Sequence, residues 1–225
     1  MRATRGPARL LLVLFAAAVL LDLGALLAGW RTGHLVAKPL LMPLLAAHAV
    51  TRGAPRPLIA ALLCGWAGDV LLMTGADWAF LAGMGAFAAG HVCYLVLFGR
   101  RRPGRALGIA YATVLAVSLA LLWADLPAGL RIPVAGYSLL LTAVAYRSSV
   151  LGRTAGAGGA LFLLSDMLLA TGLAEWRQPP LPDFWIMLTY VAAQYLLTTG
   201  ALGALDAHGR AAAEGRAYRE SRTAV

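Results

Sequence analysis

Two aspartates sit where a carboxylate is hard to solvate: Asp69 inside GWAGDVLLM (65–73) and Asp166 inside LFLLSDMLLA (161–170). Two more ionisable groups share that setting, Asp22 in the first apolar run and Lys38, the only lysine of the chain, beside Pro39. His91, Tyr94, Tyr190 and Gln194 lie in similar surroundings and carry the donors and acceptors such charges need. Each charge costs at least about 2.5 kcal/mol at mid-membrane on insertion scales, so a set of them calls for a reason. Two carboxylates in one dry pocket can divide the labour of acid–base chemistry. One keeps its proton, which burial and a like-charged neighbour favour, and the other stays ionised.

The elements that must position these residues follow from composition. The chain has 225 residues, 60% hydrophobic and 13% charged, with mean hydropathy +0.75. That excludes an ordinary soluble domain. The net charge of +9 does not point to nucleic acid, because the arginines cluster in short segments between apolar runs. A helix needs about 20 mostly apolar residues to cross the hydrocarbon. Eight segments qualify: 10–29, 34–51, 57–75, 78–98, 106–123, 131–149, 156–174 and 183–205. The expectation is an all-α integral membrane protein of eight transmembrane helices. One eight-span domain covers 1–205, and a polar cytoplasmic tail, frayed or surface-bound, covers 206–225. The N-terminus imitates a secretory signal but lacks an A-x-A site, so it reads as a retained first span.

Orientation follows from the arginines. With the N-terminus inside, fifteen fall in cytoplasmic segments and three, Arg31, Arg131 and Arg177, outside. N-in, C-in with an even number of spans is the consequence. Trp30, Trp78, Trp123, Trp176 and Trp185 then sit at the outer boundary as interfacial anchors, while Trp66 lies inside a span. Cys64 and Cys93 read as small apolar residues in helices, with no disulfide framework.

At 1.5 Å per residue, Lys38, Asp69, Asp22, Tyr190, Asp166, Gln194 and His91 lie about 6 to 18 Å below the outer helix ends, close enough in depth to share one cavity. Helical spacing puts Gly83, Phe87, His91, Tyr94 and Phe98 on one face, Gly159, Phe162, Asp166 and Leu169 on another, and Tyr190, Gln194 and Thr198 on a third. GDVLLM resembles SDMLLA, and FAAGH resembles YVAAQ, between spans three and seven and spans four and eight. The pattern predicts a parallel 4+4 repeat about an axis along the membrane normal, with Asp69 and Asp166 face to face. Blander readings stand beside these. Lys38 with Asp22 or Asp69 can be a structural ion pair, His91 an interhelical hydrogen-bonder, and the tyrosines packing aromatics. His34, His48 and His208 read as solvated, and Asp77, Asp125, Glu175 and Asp183 as loop charges.

Five motifs in order carry a family resemblance: Lys38-Pro39; Gly68-Asp69; Phe87-x3-His91-x2-Tyr94-x3-Phe98; Gly159-Ala160-Leu161-Phe162-x2-Ser165-Asp166; and Tyr190-x3-Gln194. The set resembles the YhhN/TMEM86 family, whose characterised members are lysoplasmalogenases. The resemblance implies hydrolysis of the vinyl ether bond of a lysoplasmalogen to a fatty aldehyde and a glycerophospho-head group, with no cofactor or metal. It implies Lys38, Asp69, His91, Tyr94, Ser165, Asp166, Tyr190 and Gln194 as site positions; Asp22 joins them as a supporting charge. The partners expected are the lysophospholipid substrate and membrane lipids, with no nucleic acid. The Ala/Leu/Arg-rich composition suggests a bacterial inner membrane. Protonation of the vinyl β-carbon needs an acid, and the resulting oxocarbenium ion needs a carboxylate. Asp166 is the expected acid and Asp69 the stabiliser, with the reverse open. Lys38 either keeps a carboxylate ionised or meets the lipid phosphate, and His91, Tyr190 and Gln194 position the water and the ether oxygen. Two other functions remain: a metal-dependent lipid hydrolase using His91, Asp69 and Asp166, and a small-solute or proton-coupled transporter.

Overall fold

The computed structural model describes residues 5–223. Eight α-helices account for the architecture: α1 (Arg5–Leu27), α2 (Arg31–Thr51), α3 (Arg56–Leu72), α4 (Asp77–Phe98), α5 (Arg105–Leu122), α6 (Arg131–Ser148), α7 (Arg153–Leu173) and α8 (Pro182–Thr223). No strand occurs among the described residues. The eight segments expected from hydropathy each become one helix, with ends moved by a few residues except at the C-terminal end of α8, which runs on to Thr223. Seven are long and apolar enough to cross a bilayer. The exception is α3, which has 17 residues, the lower end of what spans a bilayer. The chain is a multi-pass membrane protein.

Short loops make sequence neighbours antiparallel partners. The pairs α1–α2, α3–α4 and α7–α8 pack most closely, α2 lies on α3, α6 on α7, and α4 on α6. Helix α5 leans on α6. Apolar lipid gives helices no hydrophobic reason to associate, so close packing of small residues does the work. On α7, a Cβ at Gly158 would come 2.8 Å from the Leu197 nitrogen of α8, a contact with backbone that cannot yield. Helix α4 ends where Gly99 turns to φ 67°, a conformation cheap only for glycine. The Arg147 guanidinium of α6 donates to the Gly99 carbonyl at that end.

Two expectations need correction. The tail is not frayed: α8 runs unbroken for 42 residues, from its span through to Thr223. Its alanine-, arginine- and glutamate-rich sequence favours helix without help from lipid, and Arg52 pairs with Asp206 at 3.0 Å where the helix leaves the bundle. His34 and His48 are not solvated. His48 is buried with Nδ1 2.9 Å from the Ala8 carbonyl, and His34 sits against Asp22. A histidine near a helix end finds its partner on the adjacent helix, which linear sequence does not display. His208 is exposed, as expected.

Trp66, out of place in the tryptophan pattern, has a backbone reason. Pro43 has no N–H, so the Pro39 carbonyl one turn earlier in α2 loses its helical donor. The Trp66 indole N–H of α3 donates to that carbonyl at 3.0 Å. The other tryptophans lie exposed at the helix ends or loops assigned to the outer boundary.

Candidate active site

A cavity of about 110 Å³ opens among α2 to α8. Its walls hold Lys38 of α2, Asp69 of α3, Tyr137 of α6, Ser165 and Asp166 of α7, and Tyr190 of α8. The rest of the lining is almost wholly apolar, from Phe80, Met84 and Phe87 of α4, the C-terminal half of α5, and apolar residues of α6, α7 and α8.

Each aspartate is held by a tyrosine from another helix. Tyr190 Oη donates to Asp69 Oδ2 at 2.8 Å. Tyr137 Oη donates to Asp166 Oδ2. Among the described residues, Asp69 but not Asp166 has a cation beside it, with Lys38 Nζ 3.8 Å from Asp69 Oδ1. Helices α3 and α4 approach closely enough to put Phe87 beside this pair, since a Cβ on Gly68 would lie 2.6 Å from the Phe87 ring. Gly65, one turn back on α3, leaves room for Tyr190 Oη and Gln194 Nε2, which a Cβ would meet at 3.2 and 3.3 Å. Ser165 Oγ donates to the Ile186 carbonyl at 3.0 Å and ties α7 to α8 beside Asp166.

Other expected site residues stand behind the wall. Tyr94 Oη donates to Gln194 Oε1 at 2.6 Å, and both side chains are fully buried and absent from the lining. His91 is likewise buried and off the surface, its ring 5.2 Å from that of Tyr137 and 4.9 Å from that of Phe162. Neither of its nitrogens makes a hydrogen bond among the described residues. It packs the back of Tyr137 and does not reach the space a water or ether oxygen would occupy. Asp22 is fully buried between α1 and α2 and outside the cavity, where its Oδ1 lies 2.8 Å from His34 Nδ1.

Sequence reading missed Tyr137. The signal was present, a tyrosine about 9 Å below the outer end of α6, at the depth of the two aspartates. It went unread because tyrosine near a span end suits an interfacial belt equally well. Among the described residues no group of three His, Cys, Asp or Glu side chains is placed to hold one metal ion.

Comparison with known proteins gives the geometry its context. The rat protein named lysoplasmalogenase TMEM86B (Rattus norvegicus) is 36% identical over 179 residues, 77% of this chain and 74% of its own. Human lysoplasmalogenase TMEM86B (Homo sapiens) is 40% identical over 153 residues, covering 67% of this chain and 65% of its own length. A protein named lysoplasmalogenase from Mycobacterium tuberculosis is 32% identical over 191 residues, 75% of this chain and 72% of its own. No solved structure matches. The YhhN family model matches residues 33–201, a stretch that holds Lys38, both aspartates and both of their tyrosines, and on that match and these relatives the chain belongs to the YhhN family.

Proposed function

We propose that this chain is a lysoplasmalogenase, hydrolysing the vinyl ether bond of a lysoplasmalogen within the membrane. The relatives' names supply the activity, and one observation supports the roles: two tyrosine-held aspartates share an apolar cavity, and only one has a cation beside it. Lys38 favours the ionised form of Asp69, which makes Asp69 the stabiliser and leaves Asp166 as the acid.

Asp166 gives its proton to the vinyl β-carbon, forming a C–H bond from the double-bond electrons. The positive charge that results on the α-carbon and ether oxygen lies near the Asp69 carboxylate. A water oxygen then bonds to the α-carbon and returns a proton to Asp166. The hemiacetal breaks at its bond to the glycerol oxygen, and its hydroxyl proton moves to that oxygen. The products are the fatty aldehyde and the glycerophospho-head group. Protonated Asp166 is neutral and becomes anionic in the transition state, so the Tyr137 hydrogen bond strengthens as the reaction proceeds.

The proposal extends to the frame. The chain forms one eight-span domain over 1–205, N-in and C-in, in a bacterial inner membrane, with its halves related by a parallel 4+4 repeat. The close pairs α3–α4 and α7–α8 support the repeat. So does an alignment of AKPLLMPL (37–44) with GYSLLLTA (136–143). That alignment places Tyr137 where Lys38 stands, each beside the aspartate of its own half. The repeat thus delivers a cation to one carboxylate and a neutral hydroxyl to the other.

The test is aldehyde release from a lysoplasmalogen by protein purified in detergent. Wild type should release it without a metal or an ion gradient. Asp69→Asn and Asp166→Asn, folded as judged by monodisperse elution, should each lose about 10²- to 10⁴-fold of the rate, the range expected for a general acid or its electrostatic partner. Full activity in either variant would remove that residue from the mechanism, and loss of wild-type activity with a chelator would favour a metal hydrolase.

A further inference from the structure

Helix α5 differs from every other helix of the bundle in how little of it is covered by protein. Of its residues only Leu122, at the outer end, is buried. Its inner end is fastened: the Tyr146 ring of α6 packs over Gly108, and Tyr146 Oη donates to the Pro103 carbonyl at 2.9 Å. The outer half has no such fastening until Leu122 joins a small apolar cluster with Leu126, Val134 and Ala174.

Two faces of that outer half are apolar. Val117 and Leu121 point outward, 51 and 59% exposed, as suits contact with lipid. Val114, Leu115, Ser118, Leu119 and Leu122 recur at helical spacing and all line the cavity that holds the aspartates. The one polar member, Ser118, turns its hydroxyl onto its own helix, donating to the Val114 carbonyl at 2.6 Å. A helix that is apolar all round is normally covered by protein or by lipid. On this inner face Leu115, Ser118 and Leu119 are only partly buried by protein, and the side they leave open borders the cavity.

The cavity is also polarised across the bundle. Its charged groups come from α2, α3 and α7, and α5 supplies none. Above the α5 side, the cluster of Leu122, Leu126, Val134 and Ala174 closes the outer end with hydrocarbon. The connection that carries Leu126 is held by Arg131, whose guanidinium donates to the Leu126 and Ala124 carbonyls at 3.1 and 3.0 Å. The α5 side thus ends in hydrocarbon, and the opposite side carries the Lys38 ammonium group.

We infer that the inner face of α5, from Val114 to Leu122, is the subsite for the hydrocarbon chain of the substrate, which enters sideways from the bilayer past this helix while the phosphate end points toward Lys38. The inference rests on the lysolipid reading of the site. It makes α5 the element that distinguishes long-chain lipids from short, soluble vinyl ethers. The other apolar groove, between α1 and α8 around Phe15, Ala16, Val19 and Tyr195, has no carboxylate or cation. A chain lying there has no path to the aspartates along its lining.

The experiment compares a C16 alkenyl lysoplasmalogen with a C4 alkenyl analogue of the same head group. Ser118→Trp, which fills the α5 face, should lower kcat/KM at least tenfold for C16 and less than twofold for C4. Ala16→Trp, in the α1–α8 groove, should leave both unchanged. Equal loss for both substrates in Ser118→Trp and in the milder Leu115→Phe, no loss in either variant, or a C16-selective loss in Ala16→Trp would each overturn the inference. A non-hydrolysable saturated ether lysolipid with a mid-chain diazirine supplies a readout independent of turnover. Photolabel should appear within residues 105–123, and label confined to α1 or α8 would overturn the subsite. If wild type cleaves neither vinyl ether but labels α5, the hydrolase reading fails and the chain subsite stands.

Discussion

Lys38 is what separates two otherwise similar aspartates. Asp69 and Asp166 each accept a tyrosine hydroxyl, in one cavity, from a neighbouring helix. Removing the cation and removing a hydroxyl should therefore fail differently. Tyr137→Phe takes away a hydrogen bond that matters most once Asp166 becomes charged. We expect kcat to fall about 10- to 100-fold, the equivalent of about 1.5–3 kcal/mol for a bond to a charged group, with KM within twofold; steady-state kinetics decide, and a matched rise in KM would mean a binding role. Lys38→Met leaves the Asp69 carboxylate in the wall without its counter-ion. Breaking such a pair costs about 3 kcal/mol, so thermal unfolding in detergent should show a clear fall in Tm together with lost activity. Tyr137→Phe should lower the Tm less, by the loss of about one neutral hydrogen bond.

At the scale of the helix, prolines and glycines set how the site is assembled. Pro39 and Pro43 break the hydrogen-bond ladder of α2 directly beside Lys38, and Trp66 repairs one of the gaps from α3. Trp66→Phe keeps the aromatic bulk and removes only the indole donor. It should lower stability by about 1 kcal/mol, read as a lower Tm, whereas Trp185→Phe, whose partner is a carbonyl in an exposed loop, should change little. Helix positions and faces were readable because hydropathy and the 3.6 period are local properties. The stripes Phe87–His91–Tyr94–Phe98 and Tyr190–Gln194–Thr198 do face inward. Which of those residues reach the cavity was not readable. A stripe shows which side is covered, and His91, Tyr94 and Gln194 turn out to be covered by other side chains.

At the scale of the whole molecule, the proposed frame places both termini on the cytoplasmic side, with the aspartates in the outer half of the bilayer. A fluorescent protein fused after Val225 should fold and fluoresce, and one fused after Arg177 should stay dark; the opposite pattern would invert the molecule and put the site in the inner half. Composition and periodicity alone determined that this is a helical membrane protein with eight segments. The five motifs that carry the family resemblance also needed no structure, because a charge within an apolar run is visible without knowing its partner. Three matters waited for the tertiary structure: that Lys38 meets Asp69 while Asp22 takes His34, that Tyr137 holds Asp166, and that α5 lends an apolar face to the same cavity. Each depends on which helices are neighbours, and neighbours are chosen by close packing at positions such as Gly83 and Gly158, where the absence of a Cβ lets two backbones meet. That choice depends on shape in three dimensions, and linear spacing carries no record of it.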